Sequence, residues 1–259
     1  MPKILAVTNQ KGGVGKTTTT VNLAASLAVR GRRVLLIDLD PQANATMGAG
    51  VDKRAVRETV YDVLLGRAPL DRVEQRSPSG GFAVIPANRE LAGAEVELVD
   101  EAHREARLKQ ALAAVDGRFD YVLIDCPPAL NLLTVNALCA ARAVMIPMQC
   151  EYYALEGLSD LVQTIKKVRA HLNPTLEIEG LLLTMFDPRN MLGAQVSEQL
   201  KRHFGEKVYR TVIPRNIRLA EAPSYGMPAL YHDKQSKGAA AYLALADEIL
   251  ARSGPEAAP

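Results

Sequence analysis

Ten residues near the amino end, Asn9-Gln10-Lys11-Gly12-Gly13-Val14-Gly15-Lys16-Thr17-Thr18, bring together what is needed to hold a polyphosphate. Glycines at 12, 13 and 15 let consecutive backbone N–H groups turn inward around an anion. The Lys16 ammonium is placed to reach the outer phosphate oxygens. The Thr17 hydroxyl, a hard oxygen donor, suits Mg2+. A regular phosphate loop of the form Gly-x4-Gly-Lys-Thr has glycine where this chain has Gln10, and Lys11 follows it. The departure adds a second cation to a loop that Lys16 already serves. That charge is available to neutralise phosphate on a nucleotide held by a second subunit, which would couple dimerisation to the nucleotide. The competing reading of Lys11 is a solvent-facing lysine.

Two further places carry acid groups with a chemical use. The apolar run Val34–Ile37 ends in Asp38-Leu39-Asp40-Pro41-Gln42, and the run Tyr121–Ile124 ends in Asp125-Cys126-Pro127-Pro128. Ligands of open α/β sheets bind beyond the carboxyl ends of the strands, so these carboxylates converge on the loop. Asp40 suits an attacking water or the Mg2+ water shell. Asp38 suits a Mg2+-bound water, with a paired or capping role as its alternative. Asp125 takes the place of a Mg2+-water ligand, whereas Asp120, at the start of its strand, is structural. The two prolines stiffen a loop that would sense the terminal phosphate.

Positioning these groups requires strands feeding loops at one rim. Short apolar runs alternate with helical patterns along the chain, the rhythm of a mostly parallel sheet. Strands are expected at Ile4–Thr8, Val34–Ile37, Phe82–Ile85, Tyr121–Ile124, Ala143–Ile146, Ile178–Thr184 and Tyr209–Ile213. Helices are expected at Thr17–Arg30, near Leu91–Ala114, and at Leu132–Ala140, Leu155–Leu172, Gly193–Phe204 and Lys237–Ala251. Residues 48–74 read as a turn with short helices over a sheet edge. The fold class is α/β, a three-layer, mostly parallel twisted sheet flanked by helices. One domain spans 1–259, with 253–259 expected as a flexible tail.

Composition bounds the partners. The 31 basic and 29 acidic residues leave a formal charge of +2, so any nucleic-acid surface has to be a local patch. Aromatic residues are 5% with no tryptophan, which favours contact with a nucleic-acid backbone over base stacking. Cys126, Cys139 and Cys150 lie 13 and 11 residues apart, too far for a local metal clamp, and read as buried reduced thiols of a cytoplasmic protein. There is no apolar run of membrane-spanning length and no secretory leader pattern.

The chain resembles the ParA/Soj chromosome-partitioning ATPases, in the wider ParA/MinD group with a deviant Walker A loop and the P-loop NTPase fold. The resemblance rests on Lys11–Thr18, Asp38–Gln42, Leu123–Pro128, Pro147–Gly157, Phe186–Asn190 and Ile213–Pro223, and so runs through nearly the whole chain. Ala43 stands where glycine is frequent, and Met227 where lysine is common. The resemblance implies a Mg2+-dependent ATPase of weak basal activity, cytoplasmic and associated with the nucleoid. Lys11, Lys16 and Asp40 are its catalytic residues, and Asp40 positions the hydrolytic water. ATP is held by Lys11, Gly12, Gly13, Val14, Gly15, Lys16, Thr17 and Thr18, with Pro214 and Asn216 at adenine; Mg2+ is held by Thr17, Asp38 and Asp125. Lys11 and Gly12 meet the partner subunit of an ATP sandwich homodimer. That dimer binds double-stranded DNA without sequence preference, and a ParB-type centromere-binding protein stimulates hydrolysis and release.

The resemblance also implies that Arg189 and Arg218 face DNA. Lys201, Arg202 and Lys207 are candidates from charge and proximity, since Val196, Leu200 and Phe204 share one helix face that leaves Lys201 and Arg202 outside it. The start at the first core strand resembles the compact Soj type, without an operator-reading domain. A MinD-like membrane-cycling ATPase is the alternative. It would end in a cationic amphipathic helix, and the alanine-rich 239–252 segment, bearing Asp247 and Glu248, reads instead as a packed closing helix.

Overall fold

The computed structural model describes residues 1–115, 117–151 and 154–253. Seven strands form one sheet: β1 (Lys3–Val7), β2 (Val34–Asp38), β3 (Gln75–Arg76), β4 (Ala83–Ile85), β5 (Tyr121–Asp125), β6 (Ala143–Met148) and β7 (Glu177–Leu183). Their spatial order is β3-β4-β2-β5-β1-β6-β7, parallel throughout except for the antiparallel β3–β4 pair. The central strands are apolar on both faces because helices cover both. Leu5, Val7, Leu36 and Leu123 pack with α1 (Lys16–Val29) and α12 (Lys237–Arg252), whereas Ala6, Leu35, Ile37 and Ile124 pack into the core on the other face. That second core is closed by α7 (Leu132–Ala140), α8 (Ala154–His171) and α9 (Met191–Phe204). The result is the expected three-layer α/β fold. Among the described residues no helix is long and apolar enough to cross a membrane, and α12 buries Ala239, Tyr242, Leu245, Ala246 and Ile249 as a closing helix should.

Three expectations need correction. Tyr209–Ile213 is not a regular strand. Tyr209 and Ile213 donate to the carbonyls of Leu181 and Leu183, but the N–H groups of Arg210 and Thr211 turn to the Glu248 carboxylate, each at 2.9 Å. A side chain from α12 thus replaces the ladder. The Leu91–Ala114 helix is broken into short turns around α5 (Ala94–Glu97) and α6 (Arg107–Leu112). Its buried stripe lapses between Leu98 and Leu108, and His103 adopts a left-handed φ of 55° that no helix continues through. Strand β3 was not expected, because two exposed residues carry no period. The stretch 48–74 does hold short helices, α3 (Val60–Leu64) and α4 (Leu70–Val73), with a Thr59/Asp62 capping box opening the first. The expected tail at 253–259 lies outside the described residues beyond Ser253, as do Tyr152 and Tyr153 of the Pro147–Gly157 motif.

Candidate functional site

Strand β1, between β5 and β6, carries the loop. Residues 8–15 leave its carboxyl end and enter α1, and Asp38 and Asp125 stand in register at the ends of the neighbouring strands. Gly13 and Gly15 take φ of 73° and 86°, left-handed values that a side chain would strain. Gly15 is the N-cap of α1 and supplies no side-chain acceptor, so the first N–H groups of a 14-residue helix remain available to an anion. The loop's own carbonyls are tied down from outside: Gln149 Nε2 donates to Gly13 O at 3.2 Å and Thr184 Oγ1 to Val14 O at 2.7 Å. Asn9 braces the base, donating to Pro147 O at 2.9 Å and accepting the Lys11 N–H at 3.0 Å.

The two lysines behave differently. Lys16 is 7% exposed and its Nζ donates to Lys11 O at 3.0 Å, folding back over its own loop. Burial pulls its pKa below the ordinary lysine value, against the opposing attraction of Asp125, Cys126 and Asp40. Lys11 has a side chain 47% exposed and paired with Glu151.

The acids form a graded set. Asp125 accepts Thr17 Oγ1 at 2.7 Å and Thr20 Oγ1 at 3.1 Å. Full burial, with Asp38 alongside, pushes its carboxyl up to about 8. A buried carboxylate on a hydroxyl, facing a phosphate loop, is a hard-oxygen donor set that a Mg2+ ion would satisfy, so the residues present fit that ion. Asp38 is also fully buried and raised to about 6, first by burial. Its oxygens accept the Asp40 N–H at 3.1 Å, the Thr46 N–H at 2.7 Å and the Thr46 hydroxyl at 2.7 Å, so the structure gives it the capping role. Asp40 is 9% exposed, and its Oδ1 accepts the Gln42 N–H at 2.9 Å.

Gly12, Lys16, Thr17, Thr18, Asp40 and Pro128 line a cavity of about 360 Å³. A second, more apolar cavity of about 190 Å³ shares Gly15, Thr18 and Met185 with it and is walled by Pro214, Asn216 and Leu219. The larger cavity is lined by the loop's polar groups and the smaller by mostly apolar side chains. Asn216 caps α10 (Ile217–Glu221) by accepting the Arg218 N–H at 3.1 Å. Cys126 and Cys139 are buried and Cys150 half-buried, and no cluster of metal-ligating side chains exists among the described residues.

Arg189 lies in the turn that Asn190 closes as N-cap of α9, and its guanidinium holds Asp187 through bonds of 3.0 and 2.8 Å. Arg218 contacts Glu221 at 2.8 Å and Asp233 at 3.2 Å. Lys201 and Arg202 are exposed on α9 while Val196 and Leu200 are buried; Arg202 pairs with Glu198 at 2.5 Å, and Lys207 is exposed just beyond. The Phe186 N–H donates to Ile213 O at 3.0 Å, which ties the segment that leads to Arg189 to the one that leads to Arg218. Sequence reasoning missed Gln149, Glu151, Thr184 and Thr46. Thr184 carried a usable signal, a polar residue closing the apolar run Leu181–Leu183.

Strand, glycine loop, uncapped helix and two strand-end carboxylates define a phosphate-loop nucleotide-binding protein. A family model described as an AAA domain matches residues 2–178. The sporulation initiation inhibitor protein Soj of Bacillus subtilis is 57% identical over 251 residues, covering 97% of this chain and 99% of the relative. The chromosome partitioning protein ParA of Caulobacter vibrioides is 53% identical over 252 residues, covering 96% and 94%. Among solved structures, cobyrinic acid a,c-diamide synthase from Mycobacterium smegmatis with bound ATP analog and magnesium is similar, with a TM-score of 0.87, 40% identity, and 98% and 97% coverage. The chain belongs to the ParA/Soj family of chromosome-partitioning ATPases.

Proposed function

We propose that this chain is an ATP-hydrolysing switch that closes into a homodimer on nucleotide, holds DNA in that state without sequence preference, and lets go after hydrolysis. The observation that carries the reading is the divergence of the two loop lysines. Lys16 serves the phosphates of its own loop, and Lys11 projects outward, where a second subunit would meet it. Gly12, which has open space where a Cβ would stand, keeps that approach clear. ATP binds through Gly12 to Thr18 along the larger cavity, with adenine between Pro214 and Asn216.

Thr17 and Asp125 would hold Mg2+, whose charge would offset that of the phosphate oxygens. Asp38 belongs to this ion only indirectly, through the loop it caps. Asp40, projecting from a braced loop into the phosphate cavity, accepts a hydrogen bond from the hydrolytic water and orients it. Lys16 and Lys11 neutralise charge that builds on the phosphate oxygens, one from each subunit. Basal hydrolysis is slow because the single chain lacks the Lys11 that a second subunit would supply. Arg189 and Arg218, joined by Lys201, Arg202 and Lys207, contact DNA phosphates once two copies stand together. A ParB-type partner speeds hydrolysis and resets the cycle, in the cytoplasm and on the nucleoid.

The test is dimerisation followed by light scattering. With Mg2+ and a non-hydrolysable ATP analogue the wild type is expected to dimerise, and Lys11→Ala to remain monomeric while still binding nucleotide. A Lys11→Ala protein that dimerises like the wild type would sink the reading.

A further inference from the structure

The loop that carries Asp40 is not held by the nucleotide cavity it faces. Residues 39–43 leave β2, and Ala43 turns them into α2 (Asn44–Gly48) with a left-handed φ of 54°, a strained value for alanine. Ala43 has no side chain able to cap that helix. Its third N–H, that of Thr46, is satisfied instead by Asp38 at 2.7 Å, reaching across from the end of β2.

Thr46 completes the connection. Its side chain is fully buried, and its hydroxyl makes two bonds with defined sense: it donates to Asp38 Oδ2 at 2.7 Å and accepts the Ala87 N–H at 2.9 Å. One hydroxyl therefore ties β2, α2 and the segment following β4, while Asp38 Oδ1 accepts the Asp40 N–H at 3.1 Å. Asp40, Gln42 and Asn44 line the phosphate cavity, and Thr46 does not. A strained loop keeps one geometry only when its surroundings over-determine it. The Leu39 N–H donates to Asp125 O at 2.9 Å and Lys53 Nζ to Gln42 O at 2.5 Å, and the Thr46 hydroxyl adds the tie to the segment after β4.

We infer that Thr46 is a positioning residue for hydrolysis: its buried hydroxyl, bridging Asp38 and the Ala87 N–H, sets the height of the Asp40 loop over the phosphate cavity. The inference rests on the reading of Asp40 as the residue that orients water. Small displacements of such a group are costly, so the effect belongs in turnover rather than in nucleotide binding.

Thr46→Val keeps the shape and removes the hydroxyl. Its ATP turnover at saturating Mg2+·ATP is expected to fall about 10- to 100-fold, with affinity for a fluorescent ATP analogue within about twofold of wild type. Thr46→Ser, which restores the hydroxyl without the methyl, is expected to recover turnover to within about threefold. A packing role would give the opposite order, with serine as poor as valine or worse. Wild-type turnover in Thr46→Val, or turnover in Thr46→Ser as low as in Thr46→Val, overturns the inference. Should Thr46→Val not fold, Thr46→Ala, which leaves a small void instead of pressing a methyl on the Ala87 N–H, makes the same comparison with serine. Asp40→Ala assayed in parallel separates the two claims. If Asp40→Ala is inactive and Thr46→Val is not, only the positioning role fails; if Asp40→Ala turns over normally, the reading beneath it fails.

Discussion

At the phosphate loop, Lys16 is buried against a backbone carbonyl and Asp125 against two hydroxyls, and Gln149 and Thr184 brace the Gly13 and Val14 carbonyls. Arg189, by contrast, has a side chain 88% exposed and is paired with the acid two residues before it. Arg218 is likewise held by its own neighbours, Glu221 and Asp233. The first region is built before its ligand arrives, and its charges are costly to leave without one. The second holds its charges in solvent-screened pairs that a phosphate can displace. The proposed function makes nucleotide recognition a property of one chain, and makes DNA binding the sum of many weak contacts presented by two subunits.

That contrast is open to test by removing the surface charges. Arg189→Ala and Arg218→Ala are each expected to weaken DNA binding about fivefold and to lower its salt slope by about one. Nucleotide affinity should stay as in the wild type. A variant that loses nucleotide and DNA together would mean that the two regions are one.

A smaller effect sharpens the other side. Folding moves the Asp125 carboxyl from 3.8 up to about 8, so between those values the ligand-free folded protein keeps a proton that the unfolded chain has released. The contribution is fully present below the unfolded value and is lost as pH rises through the folded one. In thermal melts without nucleotide, Asp125→Asn is expected to gain on the wild type by a few degrees as pH rises through that window. A difference independent of pH would remove the claim that this carboxyl is buried at a cost.

Much of this was legible in the residues. Lys11–Thr18 announced the loop because glycine, lysine and threonine at those spacings follow an apolar strand and open a helix. The meeting of Asp38 and Asp125 at one rim was legible because each closes an apolar run. The α8 and α9 helices were readable from single buried stripes, Leu158-Leu161-Ile165-Val168 and Val196-Leu200. What stayed hidden depends on contacts between distant segments. The Glu151 partner of Lys11 is 140 residues away, and the Ala87 partner of Thr46 is 41 away. For Asp38 the residues left a Mg2+-bound water and a capping role open, and the bonds from the Asp40 and Thr46 N–H groups that give it the capping contacts come from the fold of the following loop. Tyr209–Ile213 has the apolar ends of a strand, and only the placement of Glu248 on α12 turns its central N–H groups away from the sheet.

The most direct measurement is retention of the full chain on two unrelated DNA duplexes with ATP, with ADP and without nucleotide, all with Mg2+ at one salt concentration. Retention on both duplexes with ATP, and little with ADP or none, is the predicted result. Equal retention in all three states would contradict the account, because a DNA surface complete in the single chain has no need of a nucleotide-closed pair.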